Sequence, residues 1–554
     1  MIAQAETIRA ERPRPGPAAR VRGLFRSLAG RAVSEPIRRL AAAARVIRRG
    51  RDGARTYYDA AATNRHNEAY YADADGVDAG GAIRGDLATL RNRARYEVRN
   101  NAVASGVVQT DANFIVGVGP NLQVTPSPSI AEPPADAADA QIAAYDVAYD
   151  RASDAASYIE DQFARWSRTC GTDGQGLGEH LRRAVHALHH TGEMLFVLTD
   201  AAAADPPPRT ARRGADAAVS LRLQPVEADR LETPWSMMGD PKIRDGILYD
   251  DAGRPLKYFI RQTHPGDRFA PLTMIAEWDA VPAASVIHVY RPDRPGQTRG
   301  VPWLAPALPL FAHLRRYELA VVRAAEKLAN INAVLHTDSP EINADAQESM
   351  EEFEVPANTF MVMPAGYKIQ TIESAQPPAT FPEFRREILN EIGRCLNMPL
   401  NVVTGNSSGY NYASGRLDWQ VYFRSIHVEQ DRLVELVCRR AFAAWYAEFA
   451  LASARPGAAP ETTWYWPGIE HVDPAKEASA EDVRLANHTT TLAAAYARQG
   501  KDWERELRQR ARERKLAKKL GLTDTESRPS ATAVAELDAP AEPAATTEKT
   551  GAAA

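Results

Sequence analysis

Arg291-Pro-Asp-Arg-Pro-Gly-Gln-Thr-Arg-Gly300 is followed by Val301-Pro302-Trp303, and then by Leu304, Leu308, Phe311, Leu314, Leu319, Val322, Ala325 and Leu328. The first run is basic and rich in turn residues. The second places apolar side chains at helical spacing and predicts a long helix from Trp303 to about His336, with Pro306 and Pro309 near its start, where proline is best tolerated. Two kinds of chain meet at this junction. Before it, Val219–Pro225, Gly246–Tyr249, Lys257–Gln262 and Ser285–Tyr290 are short strand-like runs separated by turn chemistry such as Asp250-Asp-Ala-Gly253-Arg-Pro255. After it, helical periodicity dominates. The expected class is therefore α+β and mainly helical.

Upstream, Asp86–Asn101 reads as a helix with Asp86 as N-cap, and Asp146–Cys170 and Gly178–His190 read as two more. Met194-Leu-Phe-Val-Leu198 is a short apolar run typical of a buried strand. Ala131–Ala143 and Ala201–Ala217 look like surface loops of low complexity. Downstream, Thr359–Met363 and Tyr367–Ile372, joined by Pro364-Ala-Gly366, read as a β-hairpin. Phe381–Met398 is a helix, Thr404–Asn411 a loop of Gly, Asn and Ser, and Tyr412–Phe449 a long amphipathic helix.

Residues 1–56 are rich in Arg and Ala and are expected to form a basic flexible arm; residues 523–554 lack large apolar side chains and are expected to be disordered. The arm has no apolar core of a signal peptide, although its Arg-rich, acid-poor composition resembles a transit peptide. No apolar run approaches the ~20 residues of a membrane helix. The 67 Lys and Arg against 71 Asp and Glu give a net charge of −4, which disfavours a chain that binds nucleic acid over its whole surface. Cys170, Cys395 and Cys438 form no CxxC pair, so neither a zinc site nor a disulfide framework is expected, and a reducing cytoplasm fits.

Three features invite chemistry. Gly405-Asn-Ser407-Ser-Gly409 satisfies G-x-S-x-G, so a serine hydrolase using Ser407 is the alternative reading. That motif works on a strand–turn–helix elbow, whereas here a helix and Pro399 precede it and more loop follows. His180, His186, His189 and His190 lie near Glu179 and Glu193; His186 and His190, four apart, share a helix face, but the glutamate of H-E-x-x-H is missing. Gly171–Gly178 is glycine-rich without the G-K-[ST] that grips phosphate, so no ATPase is expected. For the loop Arg291–Gly300, a solvated connection and a positioned interface loop both stand.

Taken in order, several segments resemble the lambda-like family of phage portal proteins. They are Tyr58-Asp-Ala-Ala with Asn64-Arg-His-Asn67, Leu90–Arg95 with Arg99-Asn-Asn-Ala102, Asn113–Gly119, Gly192-Glu193, His288–Arg291 with Arg294–Pro302, Asn411–Arg416 and Val472–Ala478. The resemblance covers roughly residues 57 to 520 and departs at Asn64–Asn67, where the family usually carries a second arginine and a tryptophan, and at Ala413, where it carries serine. It implies a structural protein with no catalytic residue, cofactor or metal. The implied subunit has a wing (57–302, with its β-rich module at 219–290), a stem helix (303–336), a clip (337–379) and a second stem helix (380–398). A tunnel loop (399–411), a long wing helix (412–449) and a crown (450–522) complete it. Such subunits form a cyclic ring of about twelve copies. The ring sits at a capsid vertex of the virion, after assembly in the host bacterial cytoplasm, and double-stranded DNA is packaged and ejected through it. Implied partners are the terminase large subunit, the major capsid protein, head–tail adaptor proteins and DNA without sequence specificity, and no membrane. Asn401, Thr404, Asn406, Ser407, Ser408 and Asn411 would line the DNA channel; Arg294, Gln297, Arg299, Tyr412 and Arg416 would belong to a subunit interface or a structural motif. The tunnel loop carries no charged side chain, which suits contact with moving DNA, because basic surfaces grip phosphate.

Overall fold

The computed structural model describes residues 65, 67–71, 74, 76–134, 137–200, 219–269, 277–330, 334–337, 367–370, 380–453, 457–468 and 474–522. The arm 1–56, the tail 523–554, the loop Ala201–Ala217, the strand expected at Thr359–Met363 and most of the segment 337–379 lie outside them. The chain divides into two units, Met1–Val77 and Asp78–Ala554. In the first, the described secondary structure is one helical turn, α1 (Glu68–Tyr71).

The second unit opens with α2 (Ala79–Arg84), α3 (Leu87–Asn100) and α4 (Ala102–Ile115). Asp86 takes the N-cap position of α3 but its side chain makes no capping bond, whereas Asn101 caps α4 by accepting from the Val103 and Ala104 amides. Strand β1 (Asn121–Val124) leads to α5 (Asp139–Ser167), then α6 (Leu177–His190) and β2 (Glu193–Asp200). Helix α5 begins within the stretch expected to be a loop. Its first residues, Asp-Ala-Gln-Ile-Ala-Ala, have low complexity but high helix propensity, and the latter decides.

Strands β3 (Leu221–Glu227), β4 (Ile243–Arg244), β5 (Ile247–Tyr249), β6 (Pro255–Arg261), β7 (Trp278–Pro282) and β8 (Val286–Tyr290) make up the β-rich region. It forms two sheets: β3-β2-β8 and β4-β5-β6-β7. Strand β2, from outside the expected module, is the centre of the first and pairs antiparallel with both neighbours. This explains its unbroken apolar run. Met194 and Phe196 join the main core, while Leu195 and Val197 join a second core with Val226, Leu231, Ile247, Tyr258, Ile260 and Val286. Both faces of β2 are covered, so alternation is lost.

A 3-10 turn (Ala305–Ala307) carries Pro306 and precedes α7 (Leu308–Asn330). The helix does not reach His336 as the spacing predicted. Val334–Thr337 is instead a strand, β9, paired antiparallel with β10 (Tyr367–Gln370), so pairing with a segment distant in sequence overrides the local helical pattern. Helix α8 (Phe381–Cys395) stops short of the expected Met398 because Asn397 turns left-handed at φ 54°, with its side chain accepting from Arg394. A short α9 (Leu400–Thr404) follows. Then α10 (Tyr412–Leu433) runs through a π-helical turn (Val434–Cys438) into α11 (Arg439–Ala452), one continuous rod as expected. Strand β11 (Thr462–Tyr465) pairs with β1, and α12 (Pro474–Ala486), α13 (Leu492–Arg498) and α14 (Trp503–Lys519) end the described chain.

The main core is largely aromatic where α5, α11 and β11 meet. Phe163 sits edge-on to Trp445 at 5.2 Å and to Trp464 at 5.7 Å, and Trp445 stacks on Phe449 at 4.7 Å. No described helix is long and apolar enough to cross a membrane.

Candidate channel loop and the buried motif behind it

The expected tunnel loop, residues 399–411, is only partly a loop. Its first half is α9, whose Leu400, Asn401 and Val403 are buried. Asn401 is therefore corrected from a surface position to an anchor: its side chain accepts from the Val402 amide at 3.0 Å and its carbonyl from the Asn406 amide at 3.0 Å. Gly393 of α8 lies against this base. A methyl group there would come within 2.6 Å of the Met398 carbonyl and 2.7 Å of Val403, so only glycine lets α8 and α9 approach so closely.

Beyond Thr404 the backbone turns left-handed at Gly405 (φ 63°) and Gly409 (φ 86°). Thr404, Asn406, Ser407, Ser408 and Asn411 are all exposed. The Asn406 side chain accepts from the Ser408 amide at 2.9 Å, and Asn411 caps α10 by accepting from the Ser414 amide at 2.8 Å. Short polar side chains thus fold the loop on itself, leaving a small, uncharged rim between two anchored helices. Ser407 sits on that rim after a helix rather than on a strand-to-helix elbow, so the structural context of a nucleophilic serine is missing. Just behind, Arg416 is exposed, and α10 presents Leu417, Val421 and Val428 to the outside, each more than half exposed.

The basic loop before α7 is tied to the interior. Gln297, buried, uses both ends of its amide: Oε1 accepts from the Asp293 and Arg294 amides, and Nε2 donates to the Arg291 and Arg299 carbonyls. Arg294 itself is exposed. Arg299, also buried, donates through Nε to Glu193 Oε1 at 2.6 Å and through its Nη atoms to the carbonyls of Leu231, Asp245 and Ala228. Arg91 of α3 reaches the same Oε1 at 2.6 Å, while Oε2 accepts from the Gly300 amide at 2.6 Å and faces His288 Nε2 at 3.1 Å. Glu193 is wholly buried. Burial alone would raise its carboxyl pKa, but Arg299, His288 and Arg91 outweigh it and hold the group well below the usual carboxylate range. Gly192 (φ 88°) and Gly300 sit back to back: a methyl on Gly300 would meet the Gly192 carbonyl at 2.0 Å. The Gly192-Glu193 and Arg299-Gly300 motifs are therefore two halves of one buried clasp joining α3, β2 and the loop. The clasp has one more strut: Asp245-Gly246, both at positive φ, forms the tight turn between β4 and β5, and the Asp245 carbonyl is one that Arg299 holds.

A second buried cluster ties the rod to the body. Asp111 of α4 accepts from the Tyr422 hydroxyl at 2.9 Å and faces His189 Nε2 at 2.9 Å. His189 Nδ1 lies 2.8 Å from the Val185 carbonyl, and Gln430 donates to the Ile115 carbonyl at 2.9 Å. His189 is thus a structural residue of the core. The pair His186 and His190 gathers no third ligand among the described residues; the group that does come together is Glu227, Asp229 and His264, with ligand atoms within 4.8 Å. Arg95 already bonds both of those carboxylates, so a guanidinium supplies the charge a cation would bring.

A family model described as phage portal protein, lambda family, matches residues 64–430. A protein named "Probable portal protein" from Halomonas phage phiHAP-1 is 23% identical over 325 residues, covering 54% of this chain and 61% of its own length, so the chain spans about three fifths of that relative. Among solved structures, a chain from the neck of an empty gene transfer agent particle covers 75% of this chain and 94% of its own at 12% identity and TM-score 0.42. An HK97 family phage portal protein from Corynebacterium diphtheriae covers 59% and 85% at 13% identity and TM-score 0.26. With TM-scores this low, membership rests on the sequence match, which takes in both halves of the buried clasp and the start of the rod. The chain belongs to the lambda family of phage portal proteins.

Proposed function

We propose that this portal protein assembles into a closed ring of about twelve subunits at one vertex of the virion capsid, and that double-stranded DNA enters and leaves through its channel. The observation that carries the reading is the rim Thr404–Asn411: free of charge, exposed at Thr404, Asn406, Ser407, Ser408 and Asn411, and set between the partly buried α9 and the start of α10. Duplex DNA sticks to basic surfaces through its phosphates, with strong salt dependence, and a conduit must avoid such a grip. In this reading Thr404, Asn406, Ser407, Ser408 and Asn411 brush the DNA by shape, and Asn401 holds the rim from beneath. The exposed apolar positions Leu417, Val421 and Val428 recur along one face of α10 and suit burial against a neighbouring subunit, with Arg416 at the edge of that contact, while the Tyr412 side chain lies outside what is described.

The same reading assigns residues 57–302 to a wing, α7 and α8 to the stem, 337–379 to the clip, the rod α10–α11 to the long wing helix and 450–522 to the crown. It makes the chain a structural protein, docking the terminase large subunit, the major capsid protein and later the head–tail adaptors. The test is a variant lacking residues 405–410 in a particle-producing system. Normal rings with heads empty of DNA are expected. Full heads would overturn the loop's assignment.

A further inference from the structure

A strongly charged surface of the described chain lies far from the rim in sequence, on α14. The start of this helix is anchored. Asp502 caps it by accepting from the Glu504 amide at 2.8 Å and also accepts from Gln123 at 2.9 Å. Glu504 accepts from the Tyr149 and Ser153 hydroxyls, each at 3.1 Å, and Arg508 donates to Ser153 at 2.9 Å. Beyond these turns the helix carries Arg510, Arg512, Arg514, Lys515, Lys518 and Lys519 against a single acid, Glu513, and all six cations are exposed. Among the described residues no carboxylate pairs with any of the six, and Glu513 is engaged by Gln509 at 3.0 Å.

Helix chemistry does not account for this pattern. Lys518 and Lys519 in the last turn suit the helix dipole, but Arg510/Arg514, Arg514/Lys518 and Lys515/Lys519 are like-charge pairs four residues apart, which weaken a helix. Arg512, Lys515 and Lys519 follow one another at spacings of three and four and continue the face of Arg508; Arg510, Arg514 and Lys518 form a second row. The segment Arg510–Lys519 is about 14 Å long. A duplex presents one phosphate charge per ~1.7 Å of axis, so about eight lie alongside such a length. In a chain whose net charge is −4, this concentration of cations is local.

We propose that the distal half of α14 is a docking strip for the phosphate backbone of duplex DNA, held without reading its sequence. The strip lets DNA be retained along this helix while the uncharged rim leaves it free to slide. It rests on the portal reading for the presence of DNA, but its own basis is the charge pattern.

The test uses the assembled full-length protein and a short fluorescent duplex of mixed sequence, with anisotropy recorded from about 50 to 200 mM salt. The variant Arg510→Gln/Arg512→Gln/Arg514→Gln/Lys515→Gln/Lys518→Gln/Lys519→Gln is compared with wild type. At the low-salt end the variant should bind at least ten-fold more weakly, with the slope of log affinity against log salt shallower by about three to five. A charge-keeping variant, Arg510→Lys/Arg512→Lys/Arg514→Lys, should bind like wild type, because a point charge suffices for a phosphate. Equal affinity and slope for wild type and the Gln variant, or no binding by wild type at about 50 mM salt, would overturn the proposal. Electron microscopy of the same samples separates the two claims. Intact rings with unchanged binding remove the strip and leave the portal reading; absence of rings in wild type contradicts the portal reading whatever the anisotropy gives.

Discussion

Arg299 and Glu193, 106 residues apart in the chain, are joined by a 2.6 Å hydrogen bond inside the protein, with Arg91 on the same carboxylate oxygen. One buried acid thus faces two buried guanidiniums, and both arginines also donate to backbone carbonyls, Arg91 to Thr191 and Arg299 to Leu231, Asp245 and Ala228. The clasp ties the β-rich region to α3 and to the loop that leads into α7.

Removing the acid should therefore cost far more than a surface ion pair. Glu193→Gln leaves two guanidiniums without their counter-charge and should destabilise the protein by about 3–5 kcal/mol. Arg299→Lys should also fail to rescue, since an ammonium cannot reach Glu193 and the three carbonyls together. Urea unfolding monitored by tryptophan fluorescence gives the comparison; a shift in midpoint worth less than about 1 kcal/mol for Glu193→Gln would show that the clasp does not hold the fold.

Backbone contact makes a sharper prediction. Gly192→Ala places a methyl 2.4 Å from the Val301 carbonyl carbon at a φ of 88°, and should cost more than about 2 kcal/mol. Gly415, in the first turn of α10, has nothing within 4 Å of the added methyl, so Gly415→Ala should leave stability unchanged or raise it by up to about 1 kcal/mol. Thermal midpoints of the two variants should move in opposite directions or differ widely.

Stability should also depend on pH through Glu160. Its carboxylate accepts from the Val124 amide at 2.7 Å, and burial pushes its pKa up to about 7 despite that bond. Between the ordinary carboxylate range and about 7, the folded state holds the proton more tightly than the unfolded chain. Stability is therefore lost as pH rises through this window and is constant above it. Glu160→Gln, which keeps an acceptor for Val124, should stabilise by about 1 kcal/mol at pH near 8 and by nothing at pH near 4, the figure being modest because the site is partly open to solvent. Equal effects at both pH values would contradict this.

Ser407 offers a direct check on the competing chemistry. Ser407→Ala should leave ring formation and folding unchanged, and a fluorophosphonate probe should fail to label wild type. Stoichiometric labelling that the substitution abolishes would restore the hydrolase reading.

Much of this molecule was legible in its sequence. The helices around Leu87–Asn100 and Leu177–His190 and the rod from Tyr412 follow apolar periodicity, and the Asp250–Pro255 turn follows its residues, with the Gly253–Asp250 hydrogen bond in place. The departures have specific causes. At Ala131–Ala143 low complexity hid helix propensity; at Val334–Thr337 a pairing partner thirty or more residues away took over from a helical pattern. For the candidate site, the order of motifs pointed to the right segments, but not to what they touch. Gly192-Glu193 and Arg299-Gly300 read as separate signatures, and nothing local reveals that they meet. Asp111, His189 and Tyr422 were missed as a unit for the same reason; the available signal was a polar side chain on each of three otherwise apolar helix faces. Asn401 resembled its exposed neighbours by type, and only the packing of α9 against Gly393 sets it apart.

The central claim is that this chain builds a ring that DNA passes through. Electron microscopy of the purified full-length protein tests it most directly. The account predicts closed rings of about twelve subunits with a central opening at least as wide as a DNA duplex, about 20 Å, and the rim Thr404–Asn411 facing that opening. Monomers or dimers at high concentration, or rings whose opening is lined by other segments, would contradict it.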